Sequence, residues 1–352
     1  MSLVDYGWNT YFETEWLKAN RSGLEPGRVI ADYGQKLRVI VNDREILVER
    51  PVRGTAELSQ IAVGDWLVLE RNDPGDVILV REVLPRKTKF SRAAAGQAVK
   101  EQIVATNMDY VFLTQSLNRD FNLRRLERYL IATWESGAMP VVVLTKKDCC
   151  EDWADKVARA AEVAPGVDIY AVSAKTGEGI AELRQYFRLG KTVALLGSSG
   201  VGKSTLVNTL AGEEILKTQE IREDDNRGRH TTTHREIVLL PEGGLILDTP
   251  GMRSLALWEA DTGMEVMFGD IEELILSCRY QDCGHENEPG CAIRKALESG
   301  TIDRKRWESW LKLQKELEHL EAKKEGKVRQ LEKQWGKQIA KFQKELSKGG
   351  RL

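Results

Sequence analysis

Gly197-Ser198-Ser199-Gly200-Val201-Gly202-Lys203-Ser204 has the spacing of a phosphate loop: a glycine, four residues, then Gly-Lys-Ser. The apolar run Thr192–Leu196 before it reads as a buried strand. Leu206, Val207 and Leu210 after it share one face of a helix. Phosphate chemistry needs this succession. Glycines let the backbone wrap so that N–H groups converge on phosphate oxygens, and the helix N-terminus adds partial positive charge. Lys203 has the reach for β- and γ-phosphates, Ser204 carries a hydroxyl suited to Mg²⁺, and Thr205 follows in the first turn of the helix. A strand–turn–helix unit of this kind belongs to an α/β sheet.

Outward from the loop, the α/β pattern runs over residues 93–263. Tyr110–Thr114, Pro140–Leu144, Asp168–Val172 and Gly244–Leu247 are near-continuous apolar runs separated by helical segments, as a parallel sheet covered on both faces requires. Asp248-Thr-Pro-Gly251 ends one of these strands. There Asp248 can hold Mg²⁺ through water, and the Gly251 N–H can meet a γ-phosphate. Thr145-Lys146-Lys147-Asp148 ends another strand. A carboxylate at Asp148 accepts from both N1–H and N2–H₂ of guanine, donors that adenine does not present, so adenine would leave the carboxylate unpaired. The Lys146 stem can cover the base. Ser173-Ala174-Lys175 ends the next strand, where backbone N–H groups can meet guanine O6.

The flanks differ in kind. Residues 1–26 form a leader with Tyr11, Phe12, Trp16 and Leu17 at helical spacing. Over 27–92, five short strand-like runs are separated by turn residues, which predicts a small β-barrel of the oligonucleotide-binding (OB-like) sort. Arg86–Arg92 gathers four cations around Phe90 and reads either as a nucleic-acid edge or as a solvated linker. Within 264–302, Cys278, Cys283, His285 and Cys291 offer three thiolates and one imidazole, a closed tetrahedral set for structural Zn²⁺ with no position left for a reactive water. The extension 303–352 holds 15 Lys/Arg against 8 Asp/Glu. Trp307, Trp310, Leu311, Leu317 and Leu320 share a helix face there, and a second seam runs from Val328 to Leu346. Its cations either grip RNA phosphates or form a solvated face.

Composition bounds the alternatives. The 352 residues are 41% hydrophobic and 30% charged, which excludes wholesale disorder. No apolar run approaches the roughly 18–20 residues of a spanning helix. Met1-Ser-Leu-Val-Asp5 lacks a basic start followed by an apolar stretch, so no secretory signal is expected. Five cysteines, three of them near one histidine, fit a metal site in a reducing cytoplasm better than a disulfide framework.

Small GTPases place the phosphate loop first and the guanine segments last. Here 145–148 and 173–175 precede 197–204 and Asp248–Gly251. With the barrel before and the Cys/His cluster after, the chain closely resembles the ribosome small subunit-dependent GTPase family, a circularly permuted GTPase, over about residues 27–300. The resemblance implies a cytoplasmic GTP hydrolase that binds the small (30S) ribosomal subunit and its rRNA. It would act late in subunit maturation, helping to release another assembly factor, as a monomer with no membrane contact. The alternative is a GTP-gated rRNA-binding module whose hydrolysis is incidental. Arg227–Arg235 resembles the family's Gly-x-His-Thr-Thr-Thr stretch. One of Thr231–Thr233, with Thr233 favoured, is expected on Mg²⁺ beside Ser204 and Asp248. His230 is the candidate catalytic residue for positioning water; the other reading of this segment is a phosphate-steering loop whose histidine does no chemistry. Met252 stands where many GTPases carry a water-orienting glutamine. A thioether cannot orient water, so unassisted turnover is expected on the order of 10⁻⁴ s⁻¹.

Overall fold

The structure is a computed structural model that describes residues 2–52, 55–72, 77–93, 101–118, 120–216, 235–248, 260–323 and 325–326. The described residues up to Met267 form one compact unit, except that Ala93 and Glu101 go with the second, which begins at Phe268.

The first unit opens with α1 (Thr10–Leu17), then β1 (Leu24–Asp32), β2 (Lys36–Val41), β3 (Arg44–Glu49), the short α2 (Ala56–Ser59), β4 (Trp66–Asn72) and β5 (Val77–Val83). All five runs expected as strands between 27 and 92 are strands. Their antiparallel order is β3-β2-β1-β4-β5. Asn42, at φ 53°, makes the tight turn joining β2 to β3. β1 pairs with both β2 and β4 at Gly27, and a Cβ there would stand 2.7–2.9 Å from Val39, Leu69 and Val41 side chains. Only glycine fits that crossing.

Then come β6 (Lys89–Ala93), β7 (Glu101–Thr106), β8 (Tyr110–Ser116), α3 (Leu123–Glu135), β9 (Met139–Thr145), α4 (Trp153–Val163), β10 (Asp168–Ala171), α5 (Ile180–Leu183), β11 (Thr192–Leu196), α6 (Lys203–Ala211), β12 (Arg235–Leu239) and β13 (Leu245–Asp248). β10-β9-β8-β11-β13 are parallel neighbours, and β12 closes them antiparallel. Phe112, Val141, Val193, Leu195, Leu206 and Leu210 form the core between the strands and α6. The N-terminal strands are continuous with this sheet, because β1 hydrogen-bonds to β12 through Ala31↔Glu236 and Asp32↔Arg235.

The Arg86–Arg92 stretch is neither a linker nor an open edge throughout. Arg86 makes two 2.8 Å bonds to the buried Asp65, Phe90 is 1% exposed, and residues from Lys89 onward are strand. A buried ring is unavailable for stacking on a base.

The leader packs against the N-terminal strands through an aromatic cluster, with Trp8 and Phe12 at ring-centroid distances of 4.8 and 5.5 Å from Trp66. Beneath it, the guanidinium of Arg28 is 1% exposed and donates to the carbonyls of Tyr6 and Asn107, the latter at 2.9 Å. Burial lowers its pKa to about 10, against the pull of Asp109 and Asp65, so it is charged at neutral pH. Replacing Arg28 by methionine strands those carbonyls and should cost about 3 kcal/mol. The expected reading is a lower urea midpoint with an unchanged slope.

In the second unit, α7 (Asp261–Leu276) continues from Phe268, where its backbone departs from helical geometry at φ −133° and ψ 19°; α8 (Ala292–Glu298) and a helix over 304–323 follow. Arg306 lies 5.0 Å over the Phe268 ring and pairs with Asp270 at 2.8 Å. Trp307, Ser309 and Leu313 are the buried residues of the last helix, so its packed face includes Ser309 and Leu313 beyond the expected set. The seam expected beyond Val328 lies outside the described residues.

Candidate nucleotide site and metal centre

The five parallel strands all end at one edge, where open α/β sheets bind ligands. Segments far apart in sequence meet there. The loop 197–204 leaves β11, Thr145–Asp148 leaves β9, Ser173–Lys175 follows β10, and Asp248 ends β13 opposite Leu195.

Gly197 is fixed by packing: a Cβ would stand 2.3 Å from the Thr114 carbonyl oxygen on β8. Gly200 and Gly202 take φ of 77° and 96°, the left-handed region that turns the chain into α6. Val201 is buried, whereas Ser199 and Gly200 are exposed. Ser204 and Thr205 lie in the first turn of α6. The Lys203 ammonium donates to the carbonyls of Gly197 and Ser198, each at 2.7 Å. It must release them to reach a phosphate.

The segments 145–148 and 173–175 are tied to the loop. The Thr145 hydroxyl lies 2.5 Å from the Val201 carbonyl, and the Lys146 ammonium donates to the Gly200 carbonyl at 2.7 Å. Lys146 has φ 59°, which lets its stem lie across from 145 to the loop. The Thr209 hydroxyl on α6, which bonds the Thr205 carbonyl at 2.8 Å, also lies 3.3 Å from the Ala174 carbonyl. Asp148 is exposed and accepts from the Ser173 hydroxyl at 2.6 Å. That bond, more than burial opposes it, holds its carboxyl below the usual carboxylate range, with a further contribution from the Cys149 thiol. Asp148 is therefore a charged acceptor already oriented by a second group.

Lys147 is turned elsewhere. Its ammonium pairs with Glu178 at 2.6 Å and sits 3.9 Å from the Trp153 ring centroid. It anchors the strap after β9. The contacts of Thr145 and Thr209 carry no signal in the motif pattern, since either hydroxyl could as well face solvent. His230, Thr233, Gly251 and Met252 lie outside the described residues.

In the second unit the ligand atoms of Cys278, Cys283, His285 and Cys291 all lie within 4.8 Å of one another. His285 Nδ1 stands 3.5 Å from Cys278 Sγ and 3.6 Å from Cys291 Sγ. Such spacings suit tetrahedral ligands about 2.0–2.3 Å from one ion. The N–H of Ala292 meets Cys278 Sγ at 3.3 Å, and that of Arg294 meets Cys291 Sγ at 3.4 Å. Burial works to raise the Cys278 pKa, but the Ala292 and Ile293 N–H groups and the neighbouring thiols bring it below the ordinary value. Burial pushes the Cys283 thiol up to about 11, and the other two thiols add to this. Burial lowers the His285 pKa, leaving the neutral imidazole that a metal takes. The Glu288 carboxylate accepts the N–H groups of Gly284, Glu286 and Asn287, and Trp307 packs edge-on to His285 at 5.6 Å. Neither Glu288 nor Trp307 belongs to the spacing pattern that reveals the ligands. The donor set fits a soft, tetrahedral ion.

The family model described as RsgA GTPase matches residues 83–258. A model described as ABC transporter matches 180–351, a range that shares the phosphate loop but excludes both guanine segments. The chain is 46% identical to the small ribosomal subunit biogenesis GTPase RsgA 1 of Oceanobacillus iheyensis, over 80% of this chain and 81% of that protein. It is 42% identical to RsgA 2 of Lactiplantibacillus plantarum, over 91% and 90%. Among solved structures, YjeQ from Thermotoga maritima superposes with a TM-score of 0.59 at 26% identity, covering 82% of this chain and 97% of that one. YloQ, described as a circularly permuted GTPase, gives 0.59 at 23% identity, covering 85% and 97%, and shares the fold. The permuted order of strands and loops agrees with these likenesses: the chain belongs to the RsgA GTPase family and is a GTP hydrolase.

Proposed function

We propose that the protein hydrolyses GTP on the small ribosomal subunit and serves its late maturation, helping another assembly factor to leave. The observation that carries the guanine part is the Asp148–Ser173 pair, set beside a phosphate loop to which Thr145 and Lys146 are bonded. In this reading the base is bound by Thr145, Lys146, Asp148, Ser173 and Ala174, with Lys147 bracing the strap. Residues 197–205 and Gly251 hold the phosphates. Ser204, Thr233 and Asp248 supply hard oxygen donors of the kind Mg²⁺ takes, and Mg²⁺ neutralises charge on the phosphates when bound. His230 positions the attacking water once its segment is ordered on the subunit. The four Cys/His ligands hold structural Zn²⁺.

The subunit as partner is supported by the names of the relatives, small ribosomal subunit biogenesis GTPases. Residues 27–92 act as an OB-like barrel; 93–263 are the GTPase domain, 264–302 the zinc domain and 303–352 a basic arm. Arm and barrel together contact rRNA. The protein works as a cytoplasmic monomer; no helix among the described residues is long and apolar enough to cross a membrane.

Single-turnover GTP hydrolysis with and without purified small subunits tests the reading. Stimulation of at least about tenfold is expected, given the slow intrinsic rate that Met252 implies. Co-sedimentation should be stronger with a non-hydrolysable GTP analogue than with GDP, and should weaken steeply with salt. Binding without stimulation would replace the enzyme reading by an occupancy module.

A further inference from the structure

Lys147 and Asp148 are neighbours in sequence, and each holds one end of the same loop. Asp148 accepts the Ser173 hydroxyl at 2.6 Å, and the Lys147 ammonium pairs with Glu178 at 2.6 Å. The loop between these two contacts is closed on itself. The Ser173 N–H donates to the Glu178 carbonyl and the Gly177 N–H to the Ser173 carbonyl, both at 2.9 Å. The Ser173 oxygen is held a second time, because it accepts the Thr176 N–H at 3.2 Å. Residues 173–178 therefore form one bonded turn, and a displacement of Glu178 carries the Ser173 hydroxyl with it.

The grip on Glu178 is well placed. The Lys147 ammonium lies 3.9 Å from the ring centroid of Trp153, the first residue of α4, so one cation serves an aromatic face and a carboxylate together. The Lys147 side chain is 16% exposed, against 57% for Glu178. The Lys147 N–H adds a further tie, to the Val172 carbonyl at 3.1 Å. An ion pair with so exposed a member contributes little to folding stability. Its effect falls on geometry instead. Guanine N1–H and N2–H₂ must meet the carboxylate together, and a displaced carboxylate loses that paired fit before it loses its charge.

We propose that Glu178 is a positioning residue for guanine selectivity: by holding Lys147 it fixes the 173–178 turn against 145–148, and so keeps the Ser173 hydroxyl on Asp148 in the orientation that meets both guanine donors. This rests on the reading of Asp148 as the guanine acceptor and adds a residue to it. Glu178 acts through Lys147 and Ser173, not on the base.

Glu178→Gln tests it by competition binding of GDP and inosine diphosphate, whose base lacks the 2-amino group and offers Asp148 one donor instead of two. GDP should bind the variant roughly threefold more weakly, the effect expected of an ion pair of this exposure. Inosine diphosphate should lose less, so the ratio of the two affinities falls. Lys147→Met should lower the ratio similarly, and the double variant should lose little more than either single one. The melting temperature of nucleotide-free Glu178→Gln should stay close to that of the wild type. A merely structural glutamate would lower the melting point and weaken both nucleotides alike. That result, an unchanged affinity ratio, or single losses that simply add would overturn the proposal. A wild-type protein that binds ADP as tightly as GDP would instead remove the guanine reading of Asp148, and this one with it.

Discussion

Asp148→Ala should weaken GDP and GTP binding by about 10²–10³-fold, because two charge-assisted hydrogen bonds to guanine N1–H and N2–H₂ disappear together. Melting of the nucleotide-free protein should hardly change, since Asp148 is exposed and its main bond is to Ser173. Asp148→Asn sharpens the test. An amide can donate to the 2-carbonyl of xanthine, so xanthosine diphosphate should bind the variant better than GDP does. The pH dependence has a definite sign. The Ser173 hydroxyl depresses the Asp148 pKa, so the carboxylate stays ionised through the neutral range, and guanine selectivity from it should fade only at a pH more acidic than an ordinary aspartate needs to protonate. Competition binding with GDP, ADP and XDP over pH measures both effects. Unchanged preference for GDP over ADP in Asp148→Ala would remove guanine recognition from this edge.

Removing the metal should have the larger effect on folding. Structural zinc supplies an apparent 10–16 kcal/mol in small zinc peptides, far more than a loop such as 278–291 could recover from its own packing. Protein isolated without chelator should contain one zinc per chain. Chelation, or Cys278→Ser, should release the turn held by His285 and by the N–H groups at the start of α8. Trp307 reports this directly, since its ring packs edge-on to His285 and is 8% exposed. Its fluorescence should shift to the red as water reaches it. Cys149→Ser is the control. That thiol is exposed beside the guanine edge, and its replacement should leave zinc content unchanged. A chain that keeps its fluorescence and protease resistance without metal would show the cluster to be dispensable to the fold.

The sequence was informative where chemistry is local. The loop 197–204, the segments 145–148 and 173–175 and the four Cys/His residues each lie in one short stretch, and the apolar runs beside the first three are the strands observed, so these elements and the gathering of the Cys/His side chains were legible together. Partnerships across long separations were not. Nothing in Arg86 marks it as the partner of the buried Asp65, and Phe90 among four cations looks exposed until the strand from Lys89 is seen to bury it. The place of Lys147 in Thr145-Lys146-Lys147-Asp148 groups it with the expected nucleotide-binding residues. Its engagement with Glu178 and Trp153 depends on how the strap after β9 folds back. The leader's role was also hidden. Its aromatic spacing announced a helix but not its docking on Trp66, nor the hold of Arg28 on the Tyr6 carbonyl.

The pairing of β1 with β12 bears on how the chain is made. Ala31 and Glu236 are neighbours in the finished sheet, yet 205 positions separate them along the polypeptide. β2 and β4 already flank most of β1, so during synthesis at about 5–20 residues per second only its end at Ala31 and Asp32 waits, on the order of ten seconds or more, for its second partner strand. Contacts of such long reach slow folding, and an unpaired edge held open in the meantime invites association with other nascent chains. A truncated product ending before residue 235 should therefore be more prone to aggregate than the full chain.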